Sequence, residues 1–178
     1  ETNAGNAARW YGVARFTDPL APERWEKAAA ATGCIPVGDF DAFEELGRGQ
    51  QGHVHRAVHR PTGRQVALKL LDSTTWAEGL QREAAVQAAL YHPAVLRVLG
   101  AGAVPPEHVG TVLPEGAGWM AMELATGGSL LAAEERPAPE VVLAQVLSAL
   151  AHCHARDVLH LDLKPANLLL ASDGSIRL

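Results

Sequence analysis

His160-Leu161-Asp162-Leu163-Lys164-Pro165-Ala166-Asn167 is the stretch on which the reading of this chain turns. It gathers a carboxylate, an ammonium group and an amide in one short segment. Asp162 can accept the proton of an attacking hydroxyl, Lys164 can neutralise charge on a transferring phosphate, and Asn167 can offer a neutral oxygen to a magnesium ion. The residues before it read as a helix over 139–157, because Val142, Val146, Ala149 and Cys153 recur at helical spacing with Leu143, Leu147 and Leu150 beside them. A buried helix is expected there. After the segment, Ser172-Asp173-Gly174 makes a turn into a last strand that includes Ile176-Arg177-Leu178.

Working outward toward the N-terminus, residues 42–47, 52–59 and 64–71 read as three successive strands. The last two are joined by Arg60-Pro61-Thr62-Gly63, whose proline and glycine form turns, so an antiparallel meander is expected. A helix follows over 76–90, rich in Ala, Gln, Glu and Leu, and stops at His92-Pro93. Two more strands are expected at 95–101 and 118–124, and Thr126-Gly127-Gly128 reads as a flexible joint. Residues 1–39 carry no chemical motif; a short helix is expected over 22–31, stopped by Gly33 and Pro36.

Composition narrows the class. A chain of 178 residues with 48% hydrophobic and 20% charged residues is an ordinary globular protein of one domain plus a short extension. Its net charge of −5 is spread along the chain, without the basic stripe a nucleic-acid partner needs. No apolar run approaches the roughly 18–20 residues of a membrane span. The chain begins at Glu1, with no signal-peptide layout, so a targeting signal could lie beyond it. Cys34 and Cys153 are the only cysteines, too few for a disulfide framework or a zinc site, and a reducing, cytoplasmic setting is expected. His53 and His55 share one face of a strand but lack further ligands, and His152 and His154 point in different directions on their helix, so neither pair is expected to bind metal.

Gly47-Arg48-Gly49-Gln50-Gln51-Gly52-His53-Val54 fits a glycine-rich loop between two strands, where backbone N–H groups can approach phosphate oxygens. Taken alone, such a triplet is equally an ordinary hairpin turn. A dinucleotide site would need a helix directly after the glycines, whereas 54–58 reads as strand, and the absence of Gly-Lys-Ser/Thr removes a Walker-type loop. In Val66-Ala67-Leu68-Lys69 a lysine sits on an apolar strand, which is costly unless its charge is paired. A paired lysine suits phosphate as a compact point charge. Glu83 in the helix downstream can pair with it, although Glu78 and Arg82 nearby leave open a plain solvated surface.

In this order, the glycine loop at 47–54, the Val-Ala-x-Lys strand at 66–69, the helix glutamate and the His-x-Asp-x-Lys-x-x-x-Asn segment resemble the eukaryotic-type protein kinase family, in its serine/threonine-like form, over about 40–178. The resemblance implies an α+β, two-lobed fold: a first lobe at 40–125 of antiparallel sheet plus one helix, and an incomplete, helical second lobe at 126–178. It implies ATP and Mg2+ as cofactors and a protein substrate bearing a serine or threonine hydroxyl. By position, Leu46, Gly47, Gly49, Gln50, Gln51, Gly52 and Val54 would cover the nucleotide, and Lys69 with Glu83 would place its phosphates. Met122 would stand at the back of the adenine pocket, Glu123, Leu124 and Ala125 would form the hinge that bonds adenine, and Val54, Ala67 and Leu169 would sandwich the ring. Asp162 and Lys164 would be catalytic, Asn167 would hold metal, and His160 would be structural. Lys164 matches the serine/threonine pattern, since tyrosine-directed relatives carry alanine or arginine in that neighbourhood.

Two departures stand out. Leu161 occupies a position where many members of the family have an arginine that pairs with a phosphorylated activation loop, and leucine cannot make that pair. The Asp-Phe-Gly triplet of the family is expected about two residues beyond Leu178. Asp173 belongs to a tight turn and does not replace it. The chain is therefore expected to be a fragment with little activity alone. A nucleotide-binding pseudokinase or scaffold remains an alternative, and a small-molecule kinase of the same fold is disfavoured by the Asp-Leu-Lys-Pro run.

Overall fold

The three successive strands expected over 42–71 have a direct counterpart in the computed structural model, which describes residues 14–15, 39–49, 52–71, 77–103 and 117–178. The elements are β1 (Ala14–Arg15), β2 (Phe40–Arg48), β3 (Gly52–His59), β4 (Arg64–Leu71), α1 (Ala77–Ala88), β5 (Val98–Ala103), β6 (Gly118–Glu123), α2 (Pro139–His154), β7 (Val158–Leu159), β8 (Leu169–Leu170) and β9 (Ile176–Arg177). The short helix expected over 22–31 lies outside the described residues. The class is α+β. Two units are distinguished: 22–89 with 97–124, and 1–21 with 90–96 and 125–178.

The first unit is an antiparallel five-stranded sheet in the order β2-β3-β4-β6-β5. Side chains alternate faces along a strand. In β4, Val66, Leu68 and Leu70 share one face and form a core with Ala57, Ala117, Trp119 and Ala121, against which Phe40 and Leu99 pack. The Phe40 and Trp119 rings lie 5.7 Å apart. The opposite parity puts Ala67 and Lys69 on the other face, with Lys69 opposite Val54 on β3 and Met120 on β6. Helix α1 packs on β5 and β6 through a buried stripe of Leu80, Ala84, Ala85 and Val86, leaving Gln81 and Arg82 exposed. The β3–β4 turn closes with Gly63 at φ +65° and its N–H donating to the His59 carbonyl at 2.9 Å.

The strand expected at 95–101 begins only at Val98. The Leu96 N–H donates to the Leu178 carbonyl and the Leu178 N–H to the Ala94 carbonyl, both at 2.9 Å, so this backbone is already engaged away from the sheet.

In the second unit, α2 starts on Pro139, whose missing N–H costs nothing in a first turn. Val141 and Val142 donate to the Ala138 carbonyl in place of a side-chain cap. The helix ends at His154, short of the expected 157, because Asp157 adopts a left-handed backbone at φ 58°, which no helix continues through. Val146 joins Leu168, Leu170 and Ile176 in a core flanked by Val142 and Leu150. The helix is covered on its Val146, Ala149 and Cys153 face, while Val141, Leu143 and Leu147 are 43%, 58% and 55% exposed. Gln145 reaches from α2 to accept the Ile176 N–H at 2.7 Å. β8 pairs with β9, and β7 with β1, antiparallel in both cases. Asp173 does sit in a turn, where its carboxylate accepts from the Ser175 N–H and hydroxyl and is held below the usual carboxylate range by those bonds. Among the described residues no helix is long and apolar enough to cross a membrane.

Candidate functional site

In the sheet unit an ion pair joins the strand face to the helix. Lys69 Nζ donates to both carboxylate oxygens of Glu83, at 2.9 and 3.0 Å, with side chains 22% and 12% exposed. This follows from two periodicities: β4 alternation turns Lys69 away from the Val66 face, and Glu83 flanks the apolar stripe of α1 next to Ala84. A half-buried ammonium is stable here because the carboxylate pairs it.

The loop between β2 and β3 assigns different duties to its glycines. At Gly52 a Cβ would overlap the Leu70 carbonyl oxygen, so only glycine lets β3 approach β4 at this point. At Gly47 a Cβ would meet nothing within 4 Å, so packing does not demand glycine there. The Gly49 N–H donates to the Gly52 carbonyl at 2.8 Å and closes the turn. Gln50 and Gln51 lie outside the described residues. Leu46 is 42% exposed, Val54 is half-buried, and Ala67 and Met122 are buried and face each other across β4 and β6.

Glu123 is tied back to its own unit. Its N–H donates to the Arg97 carbonyl at 2.9 Å, and its Oε1 accepts the Arg97 N–H at 2.9 Å. Ala125 is half-buried. The glycines after it are not the flexible joint expected. Gly127 donates to the Leu170 carbonyl at 2.8 Å, and Leu170 returns a 2.8 Å bond to the Gly128 carbonyl. A Cβ on Gly127 would meet the Leu170 Cβ at 2.6 Å, and Gly128 is left-handed at φ +69°. The two glycines are required by close approach and backbone sign, not by mobility. Leu169, on β8, is half-buried and forms a bridge with Ser129.

The segment 160–167 folds around one carboxylate. Lys164 Nζ donates to Asp162 Oδ2 at 2.9 Å. Asn167 Nδ2 donates to the same oxygen and to the Asp162 backbone carbonyl, each at 2.8 Å. A short 3-10 turn over Pro165–Asn167, closed by the Asn167 N–H on the Lys164 carbonyl at 2.9 Å, brings the amide back to the aspartate. Leu161 takes a left-handed backbone at φ 57°, and the Asp162 N–H turns back onto the His160 carbonyl at 2.8 Å. The Lys164 and Asn167 bonds hold the Asp162 carboxyl below its usual range, so it is ionised at neutral pH. Burial pushes His160 down and keeps its ring neutral. With its Nδ2 committed, Asn167 has Oδ1 as its acceptor atom. That amide oxygen is a neutral oxygen donor, which fits a hard cation such as magnesium and not a soft one.

One constellation escaped the linear reading. Glu45 on β2 stands opposite His55 on β3, and His53 lies two residues along on the same face. A carboxylate therefore stands within reach of the strand pair, supplied across the ladder and invisible without the register.

The sheet unit thus pairs Lys69 with Glu83 beside a glycine turn, and the second unit carries the Asp-Lys-Asn loop. The protein kinase domain profile matches residues 40–178, and the chain belongs to that family. It is 32% identical over 157 residues to the rabbit calcium/calmodulin-dependent protein kinase type II subunit delta, covering 81% of this chain and 27% of the relative. It is 33% identical over 152 residues to the calcium/calmodulin-dependent protein kinase type II of Caenorhabditis briggsae, covering 78% and 26%. Against the serine/threonine-protein kinase Aurora-1 of Arabidopsis thaliana it is 32% identical over 164 residues, covering 85% and 52%. The chain thus spans between about a quarter and about half the length of these relatives.

Proposed function

We propose that the protein is a serine/threonine kinase, moving the γ-phosphate of ATP to a protein hydroxyl, and that this chain carries its nucleotide-binding sheet and catalytic loop. The observation that carries the reading is the Asp162 carboxylate, ionised and held by both Lys164 and Asn167.

In this reading Asp162 orients the substrate hydroxyl and takes its proton as the hydroxyl oxygen bonds to the γ-phosphorus. The bond from that phosphorus to the bridging oxygen breaks, and ADP leaves. Lys164 offsets negative charge on the transferring group, and Lys69, steered by Glu83, holds the phosphates. Magnesium, when bound, neutralises phosphate charge, and Asn167 would be its ligand in this chain. The spacing of Gly47, Gly49 and Gly52 supports a phosphate-facing loop. Leu46, Val54, Ala67, Met122 and Leu169 offer apolar surface to adenine, and the Glu123–Ala125 backbone its hydrogen bonds. Lys164, two residues after Asp162, supports serine/threonine selectivity. A cytoplasmic setting belongs to the same reading, in keeping with Cys153 as a buried free thiol.

The test is transfer of labelled γ-phosphate from ATP to serine-, threonine- and tyrosine-containing peptides by the full-length gene product. Phosphoserine and phosphothreonine should form, and Asp162→Asn should reduce the rate about 10²- to 10⁴-fold, the usual worth of a positioned base. ATP binding with no transfer to any peptide would instead identify a nucleotide-binding scaffold.

A further inference from the structure

We propose that Glu45, His53 and His55 form a binding site for a divalent transition metal, zinc foremost, on the hairpin that carries the glycine-rich loop. The three side chains come from two strands. Glu45 is the cross-strand partner of His55, and an irregularity in β2 between Glu45 and Gly47 bends the strand just where the histidines lie opposite. One ligand atom from each residue lies within 4.8 Å of the others. The His53 and His55 rings are stacked, with centroids 5.9 Å apart and 24° between planes.

Two imidazole nitrogens and a carboxylate oxygen are a recurring zinc donor set, leaving a fourth position for water. Bonds of about 2.0–2.1 Å to a tetrahedral ion place ligand atoms about 3.3 Å apart. Glu45 Oε2 and His53 Nδ1 are already 3.1 Å apart. The longest separation, at most 4.8 Å, has to close by about 1.5 Å. Side-chain rotation can supply a change of that size, with Glu45 49% exposed and His55 half-buried.

The guanidinium of Arg48 lies against the same ring, with its Nη2 2.8 Å and Nε 3.1 Å from His53 Nε2 and Nε also 3.3 Å from Nδ1. A guanidinium can only donate, so Nε2 accepts from it and the ring proton sits on Nδ1, facing Glu45. Metal binding through Nδ1 shifts that proton to Nε2, which then turns from acceptor to donor and no longer holds Arg48. Arg48 and the ion therefore compete for one ring. With Glu45 on β2 and both histidines on β3, a bound ion cross-links the strands at the foot of the loop over 47–52.

The experiment is titration of the 178-residue chain with Zn2+ against a chromophoric chelator, followed by Co2+, whose visible absorption reports four-coordinate geometry. One equivalent should bind. His55→Ala and Glu45→Gln should each weaken binding by about tenfold or more, at least the loss seen when a metal's outer partners are removed. Arg48→Ala should tighten it about two- to fivefold, the worth of an exposed charge contact, and His154→Ala, exposed on α2, should leave it unchanged. In the unaltered chain, ring nitrogen resonances of His53 and His55 should shift together on adding Zn2+, a readout independent of any variant's folding. Absence of Zn2+ binding, or binding that persists undiminished in both His55→Ala and Glu45→Gln, overturns the proposal.

Discussion

Asn167 holds Asp162 twice, its Nδ2 donating at 2.8 Å to the backbone carbonyl and at 2.8 Å to Oδ2. One amide thus braces the path of the loop and, after Lys164, helps to hold its carboxyl below the usual range.

Replacing Asn167 by Ala should raise the Asp162 titration toward the ordinary carboxylate value of 3.8, because the second of its two largest charge-favouring bonds disappears. The sign for stability follows. A carboxyl whose folded value is depressed contributes above its unfolded value and loses that contribution as pH falls through the folded one. Carboxyl NMR titration of the unaltered chain and of Asn167→Ala checks this; identical titration midpoints would refute it.

Glu83→Ala should strip the partner from a half-buried Lys69 and destabilise the sheet unit by about 3 kcal/mol, the cost of leaving one charge of such a pair. The double variant Lys69→Met with Glu83→Leu should recover much of that loss, since both charges are then gone. Urea unfolding measures both. Nucleotide affinity should fall in each variant, which separates binding from stability.

The glycines at 47 and 52 should respond oppositely. Gly52→Ala drives a Cβ into the Leu70 carbonyl and should cost at least about 1–3 kcal/mol, as overpacking does. Gly47→Ala meets open space and should leave the melting temperature nearly unchanged. A loss of ATP affinity in Gly47→Ala without a change in melting would mark that backbone as ligand-facing.

Leu161 is held at φ 57°, a region that costs a non-glycine residue about 1 kcal/mol or more. Leu161→Gly should relieve this and Leu161→Asn nearly so, as asparagine tolerates left-handed backbone. Thermal melting that falls in both variants would show that the exposed leucine side chain contributes more than its backbone costs.

Much of the architecture was legible in the linear chain because it rests on short-range rules. The short apolar stretch around Val66-Ala67-Leu68, bounded by a turn, placed β4 at the observed 64–71, and the Pro61–Gly63 turn joined it to β3. The pairing of Lys69 with Glu83, and not with a neighbouring charge, needed the helix to be set on the sheet. Gly127 and Gly128 read as a flexible joint because composition shows what a glycine permits, and only the contact with Leu170 shows what it is required for.

By itself the sequence determined the order of the five sheet strands with α1 and α2, the Asp-Lys-Asn loop and the family, because each depends on residues close along the chain or on their spacing. Tertiary structure decided which face of α2 is covered, that the Asn167 amide grips Asp162, and that Glu45 stands opposite His55. These depend on register and on which surfaces meet. A shift of one residue in a strand turns every side chain to the other face, and nothing local in the chain records that choice.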